Sequence, residues 1–246
     1  MPANIGLLAP SAVSGINIGE YTSDQKHPLG TLGLTRDGRI FRYAQAGASA
    51  LVVGNILESA APIPNHLART PPAVAIGDKS FSFTPGATGG AANLYAEGYL
   101  QVDTTPGNGY TYGVSGHPAI TASTAFTLTL DEAIREVALT TSSRVGLHHN
   151  PYKNVIIGAT TVGAPTIGGA VAPITAAYYG WIQTRGPFCA LIDGTPGVGI
   201  GLQVSNAVAG ALEVAAVAAE IDTRRVARMM QVGVDTKNNM VFLELD

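Results

Sequence analysis

The sequence predicts an all-β protein: a β-sandwich or barrel as the main domain, a smaller C-terminal β-barrel-like domain, and an extended N-terminal arm. Three observations lead there. Short runs in which large apolar residues alternate with small or polar ones recur along the chain, the period of a half-buried strand. Turn signals separate these runs at short intervals, drawn from 30 glycines and 15 prolines in 246 residues. Asp37-Gly38 lies between two of the runs and marks a tight hairpin, because Gly supplies positive φ without steric cost. The predicted divisions are an arm over 1–26, a main domain over 27–157, a linker over 158–173 and a C-terminal domain over 174–246.

The arm carries Pro2, Gly6, Pro10, Gly15 and Gly19 and holds no regular period. Ile5, Leu7, Leu8, Val13, Ile16 and Ile18 make it too apolar for a solvated tail. Two readings stand: it lies along a neighbouring molecule, or it supplies an edge strand to its own domain. After Asp37-Gly38, Phe41 and Tyr43 fall on one face of the second hairpin arm and Arg42 on the other. The hairpin reads as a docking element, with Arg36, Arg39 and Arg42 as contact candidates.

Leu51 to Leu57 (LVVGNIL) reads as a buried strand. Residues 61–72 hold four prolines and form a surface connector in which His66 is expected to be solvated. Strands follow at Ser80–Phe83, Gly98–Val102, Tyr110–Val114 and Phe126–Leu130. Asp131–Ala138 fits one or two helical turns or a strand. Beyond the Gly/Thr/Ala/Pro-rich linker, Tyr178–Thr184 and Cys189–Asp193 read as a strand pair around Arg185-Gly186-Pro187. Residues 211–230 fit helix by composition and strand by their Val and Ile content. Met230–Asp235 and Met240–Leu245 then form a closing hairpin.

Charged residues make up 13% of the chain, about half the usual globular share of roughly 25%. A surface so sparing in charge implies area covered by partners; an extracellular or thermostable β protein with a Thr/Asn-rich surface is the other reading. The net charge of −3 gives no basic field for nucleic acid. No apolar run approaches the roughly 18–20 residues of a membrane span. Nucleic acid and membrane are therefore not expected partners, and with no signal-peptide pattern at the start the protein is expected to be made in a cytoplasm.

Candidate chemistry is sparse. Gly194–Gly201 (GTPGVGIG) resembles a phosphate loop but ends in Leu202-Gln203, without the lysine and hydroxyl that reach phosphate and magnesium. His148-His149 point to opposite faces if extended, and no Cys or carboxylate stands at ligand spacing. His27-Pro28 and His117-Pro118 read as turn starts. Cys189 is the single cysteine, in an apolar run where a buried inert thiol is expected. No nucleophile elbow is present. No cofactor and no catalytic residues are expected, and the chain does not read as an enzyme.

Several stretches together resemble a known family. They are Gln25–Thr31 (QKHPLGT), Asp37–Tyr43 (DGRIFRY), Ala60–Leu67 (AAPIPNHL), Asn93–Leu100 (NLYAEGYL), Asn150-Pro151-Tyr152 and Ala177–Thr184 (AYYGWIQT). From about residue 20 onward the chain resembles the head-associated structural proteins of tailed bacteriophages, in particular capsid decoration (cement) proteins. The resemblance implies a β-rich homo-oligomer, usually a trimer, on the outer surface of the phage head, with extended arms on the major capsid protein. The arm residues and the hairpin arginines are then capsid-contact candidates, and the dense aromatic group Tyr178, Tyr179 and Trp181 the oligomer-interface candidate. Two rivals are a tail or fibre-base component and a carbohydrate-binding virion module built on that aromatic group.

Overall fold

The computed structural model describes residues 12–161, 163–215 and 225–246. The chain is all-β, as the alternation predicts: the described residues hold seventeen strands and one 3-10 turn, Pro64–His66. It divides into two compact units, however, along different lines from those expected. Residues up to Ala60 join Tyr152–Asp246 in a split unit, and Ala61–Pro151 form an inserted unit between them.

The split unit begins with β1 (Val13–Ser14), β2 (Tyr21–Thr22), β3 (Leu32–Leu34), β4 (Ile40–Gln45) and β5 (Ile56–Glu58). The inserted unit holds β6 (Ser80–Phe83), β7 (Tyr99–Thr104), β8 (Thr111–Gly116), β9 (Phe126–Leu130) and β10 (Arg144–His148). The chain then returns to the split unit with β11 (Ile156–Ile157), β12 (Thr166–Ala170), β13 (Tyr179–Leu191), β14 (Gly201–Val204), β15 (Leu212–Val214), β16 (Ala227–Met229) and β17 (Asn238–Glu244).

The inserted unit is one antiparallel sheet in the order β10-β7-β8-β9-β6. Its strands alternate as the sequence predicts. On β9, Phe126, Leu128 and Leu130 are buried while Thr127 and Thr129 face water. The inward side chains, with Tyr95, Leu100, Val102, Tyr112, Val114 and Leu147 among them, make one core. Asp131–Ala138 forms neither helix nor strand. It is held by Ile134, which is buried in that core and whose N–H donates to the Asp78 carbonyl.

In the split unit the main sheet runs β1-β3-β4-β13-β17-β16-β14-β15, with β12 and β5 branching from β13. The Asp37-Gly38 hairpin forms as expected, with Leu34 opposite Ile40 and Gly38 at φ +82°. Phe41 and Tyr43 pack with Trp181 on one face, whereas Ala44 packs with Leu51, Leu57 and Ile182 on the other.

Several expectations are corrected. The predicted linker contains β12, which pairs with both β13 and β5 and so lies inside a sheet. The pair expected around Arg185-Gly186-Pro187 is a single strand, β13. Gly186 takes φ +97°, Arg185 is opposite both Ile40 and Glu244, and the strand changes partner from β4 to β17 at this bend. Within Leu51–Leu57, Gly54 at φ +85° makes a turn that leaves Val52 and Val53 exposed; only Ile56 and Leu57 enter β5. The partner of β17 in the closing hairpin is β16, and residues 230–237 form a loop. The stretch 211–230, which fits helix or strand by sequence, contributes β15 and β16 at its ends, while 216–224 lie outside the described residues. Residues 12–26 do not form a free arm. β1 pairs in parallel with β3, β2 pairs with β13, and Val13, Ile16 and Ile18 pack against the Phe41–Tyr43–Trp181 cluster. Apolar side chains this close to an open aromatic face gain more by covering it than by staying in water.

Candidate functional site

The sequence-derived contact residues fare unevenly. Ile5, Leu7 and Leu8 lie outside the described residues. Val13, Ile16 and Ile18 are half-buried on their own sheet, as above. Arg36 is exposed on the hairpin turn. Arg39 pairs with Asp37 at 2.8 Å and lies over the Phe41 ring, and Arg42 pairs with Asp246 at 3.1 Å. Hydrogen bonding from Thr35, then from Arg39, lowers the Asp37 carboxyl. The Asp246 carboxyl is also lowered: burial pushes it up, but hydrogen bonds from Arg42 and Thr184 and the nearby arginine charges outweigh that. Both arginines are thus engaged within the chain.

Trp181 is 4% exposed, with its ring 5.2 Å from Tyr43 and 5.4 Å from His27. Tyr179 stacks on Tyr43, and Tyr178 packs against the core around Ala44 and Ile182. Trp181 is therefore spent on the interior, while Tyr178 and Tyr179 are half-buried beside it. The density of aromatics signals burial here, because rings cluster wherever a core must be filled with few residues.

The histidines depart from expectation as well. His66, predicted to be solvated, is fully buried in the inserted unit. Its Nδ1 is 2.5 Å from the Tyr95 hydroxyl and its Nε2 2.8 Å from the Thr88 carbonyl. The carbonyl can only accept, so Nε2 carries the proton and Nδ1 accepts from Tyr95. His117 accepts the Tyr95 N–H at Nε2 (3.0 Å) and donates from Nδ1 to the Pro118 carbonyl (2.7 Å). His149 stacks on Tyr95, and burial lowers the half-buried His148. Burial also raises the Tyr95 phenol. These groups are committed to one another as framework. Among the described residues no three His, Cys, Asp or Glu side chains gather as a metal-binding group, and no helix is long and apolar enough to cross a membrane.

What the sequence reading missed lies in the split unit. On the β13–β17 face is an open groove of about 260 Å³. Ile18, Val53, Val171, Pro187, Phe188 and Met240 give it apolar walls, and Gln183, Cys189 and Arg39 also line it. Gln183 is fully buried. Its Nε2 donates to the carbonyls of Arg185 (3.0 Å) and Pro187 (2.8 Å), which orients the amide. Oε1 is left without a hydrogen-bond partner among the described residues. An unsatisfied buried acceptor of this kind costs about 1–3 kcal/mol. Cys189, expected to be buried, is an exposed free thiol because its position on β13 faces the groove side.

The groove opens onto an exposed apolar strip. Val53 and Met240 are both groove walls and both exposed. The Met230 N–H donates to the Met240 carbonyl, which places the 230–237 loop beside the groove. Gly233 N–H donates to Pro196 (2.8 Å) and Gly199 N–H to Met229 (2.9 Å), tying that loop to the Gly194–Ile200 turn. On these two loops Val198, Ile200, Met230, Val232 and Val234 are exposed, from 42% at Ile200 to 63% at Val232. The exposed apolar residues sit within 194–200 and 230–234, with Asp235 at the edge accepting from the Gly194 N–H (2.8 Å). Alternation had suggested a half-buried strand here; the backbone bonds to Pro196 and Met229 hold the segment as a loop with its apolar side chains outward.

Comparison of this chain with protein families, with curated proteins and with solved structures finds no match.

Proposed function

We propose that this chain is a structural protein of a phage head: a decoration (cement) protein that bridges major capsid protein subunits on the outer surface and stabilises the shell. The family resemblance suggests the assembly, and the exposed apolar residues Val198, Ile200, Met230, Val232 and Val234 on two tied loops are the observation that carries it. Exposed large apolar side chains grouped on loops held by backbone hydrogen bonds suit a protein interface. Binding only the assembled shell shifts it away from disruption by mass action, and several copies joined in an oligomer, most simply a trimer, multiply modest contacts.

The test compares shells with and without the protein. Shells lacking it should burst at a lower temperature, and particle density should show it on the outer surface. Equal heat resistance with no bound density would end this reading.

A further inference from the structure

The outer face of the inserted sheet gathers side chains that the core does not use. Register places His148 of β10, Tyr99 of β7 and Gly113 of β8 in one row across three strands. Alternation turns Tyr99 and Gly113 outward, since Leu100, Tyr112 and Val114 are buried. Tyr99 is 43% exposed, and its side chain makes no ring contact or hydrogen bond among the described residues. Where a side chain at position 113 would stand lies the Asp131 carboxylate instead: a Cβ at Gly113 would be 2.6 Å from Asp131 Oδ2. The Asp131 N–H donates to the Gly113 carbonyl (3.0 Å) and holds the residue in the row. Opposed residues on neighbouring strands have Cβ atoms about 5 Å apart, so the carboxylate stands about one strand spacing from the tyrosine.

Asp131 is exposed, and its carboxylate has no partner among the described residues. Lys79 donates to the Asp131 carbonyl (3.2 Å), and Arg135 is paired with Glu132. One row along, Gln101 and Thr111 oppose each other and are exposed, adding an amide and a hydroxyl. These groups discriminate between guests. The row's free charge is a carboxylate, and burial holds the adjacent His148 below its usual value, so an anion is disfavoured. An alkylated amine calls for a cage of several rings, and the row offers one. A wholly apolar guest would leave the carboxylate without a donor. A pyranose satisfies every group, with an apolar C–H face for the ring and hydroxyl donors for the carboxylate.

We propose that this face of the inserted unit binds a neutral polysaccharide, one pyranose stacking on Tyr99 while a neighbouring pair of its hydroxyls donates to the Asp131 carboxylate. Gln101 and Thr111 meet the next sugar of the chain. The face is open along the row, so it admits an internal stretch of a polymer as well as its end. This assignment goes beyond the decoration reading and does not depend on it.

The full-length protein is screened on an array of neutral and anionic glycans. The strongest neutral ligand is then titrated against the parent, Tyr99→Ala and Asp131→Asn, with choline titrated alongside. A neutral glycan should bind the parent, and each substitution should weaken that binding by about tenfold or more at a parent-like unfolding midpoint. Both side chains are exposed and outside the core, so neither variant is expected to unfold the protein. An array with no neutral glycan bound overturns the assignment, as does parent-like affinity in either variant. Tighter binding of choline, or of an anionic glycan, through the same two residues overturns it too. None of these outcomes alters the expected shell binding.

Discussion

The inserted unit and the split unit are built from the same strand chemistry but dispose of their polar and apolar groups in opposite ways. In the inserted unit, apolar residues point inward from every strand, and buried His66 and His117 have both ring nitrogens engaged. Thr127, Thr129, Ser80 and Ser82 cover its outer face. In the split unit, a buried glutamine carbonyl lacks a donor, a thiol is exposed, and two loops turn five large apolar side chains to solvent. The inserted unit is not free of exposed apolar groups, since Ile76 and Tyr99 face water, but these are not gathered on paired loops as in the split unit. The split unit carries the apolar strip, which is why the proposed shell-binding role is placed there.

This contrast can be broken or sharpened by substitution. The largest expected effect is in the split unit's own core. Trp181→Ala should cost about 3–5 kcal/mol by denaturant unfolding, since a large ring is removed from between Tyr43 and His27. A loss near zero would return Trp181 to the surface and reopen the oligomer-interface assignment. Next, Tyr95→Phe should destabilise the inserted unit by about 1–3 kcal/mol, because His66 Nδ1 loses its donor in a fully buried site. An unchanged unfolding midpoint would show that the polar closure of that unit contributes nothing.

Gly38→Val should cost about 1–2 kcal/mol. A Cβ at Gly38 meets no atom within 4 Å, so the penalty comes from the φ of +82° alone. Equal melting temperatures would mean the turn adopts another conformation. The smallest effect is a pH dependence at Glu58, buried on β5, whose carboxyl is pushed up by burial against a weaker opposing hydrogen bond from Ala159. An acid raised in the folded state favours the protonated form, so its ionisation removes stability as pH climbs from the ordinary value of 4.5 through the raised folded value. Glu58→Gln should flatten that part of the profile, so its melting temperature gains on the parent's as pH rises above the ordinary value of 4.5. Parallel profiles would show that Glu58 is effectively solvated.

Much of the inserted unit was legible in advance. Ser80–Phe83 and Phe126–Leu130 were placed at their observed bounds, because one buried face and one wet face leave a period-2 trace in the residues themselves. The Asp37-Gly38 hairpin was legible for a different local reason, its need for positive φ. The split unit was not, since its strands pair over long separations: β4 lies beside β13, and β5 beside β12. No local pattern reports such a neighbour, so β12 looked like a linker and 27–60 like part of the following domain. The candidate site was invisible for the same reason. Gln183, Val53 and Met240 are far apart in the chain, and no motif links them.

By itself, then, the chain determined strand chemistry, the tight turn and a shortage of charge, because these depend on residue type and near neighbours. Tertiary structure alone decided which apolar residues were spent on the interior and which were left facing water. Trp181 and Val232 are both large and apolar, but one is sandwiched between Tyr43 and His27, while the other sits on a loop pinned outward by Gly233 and Pro196. Burial is a property of the neighbours a side chain meets, and those neighbours come from distant parts of the chain.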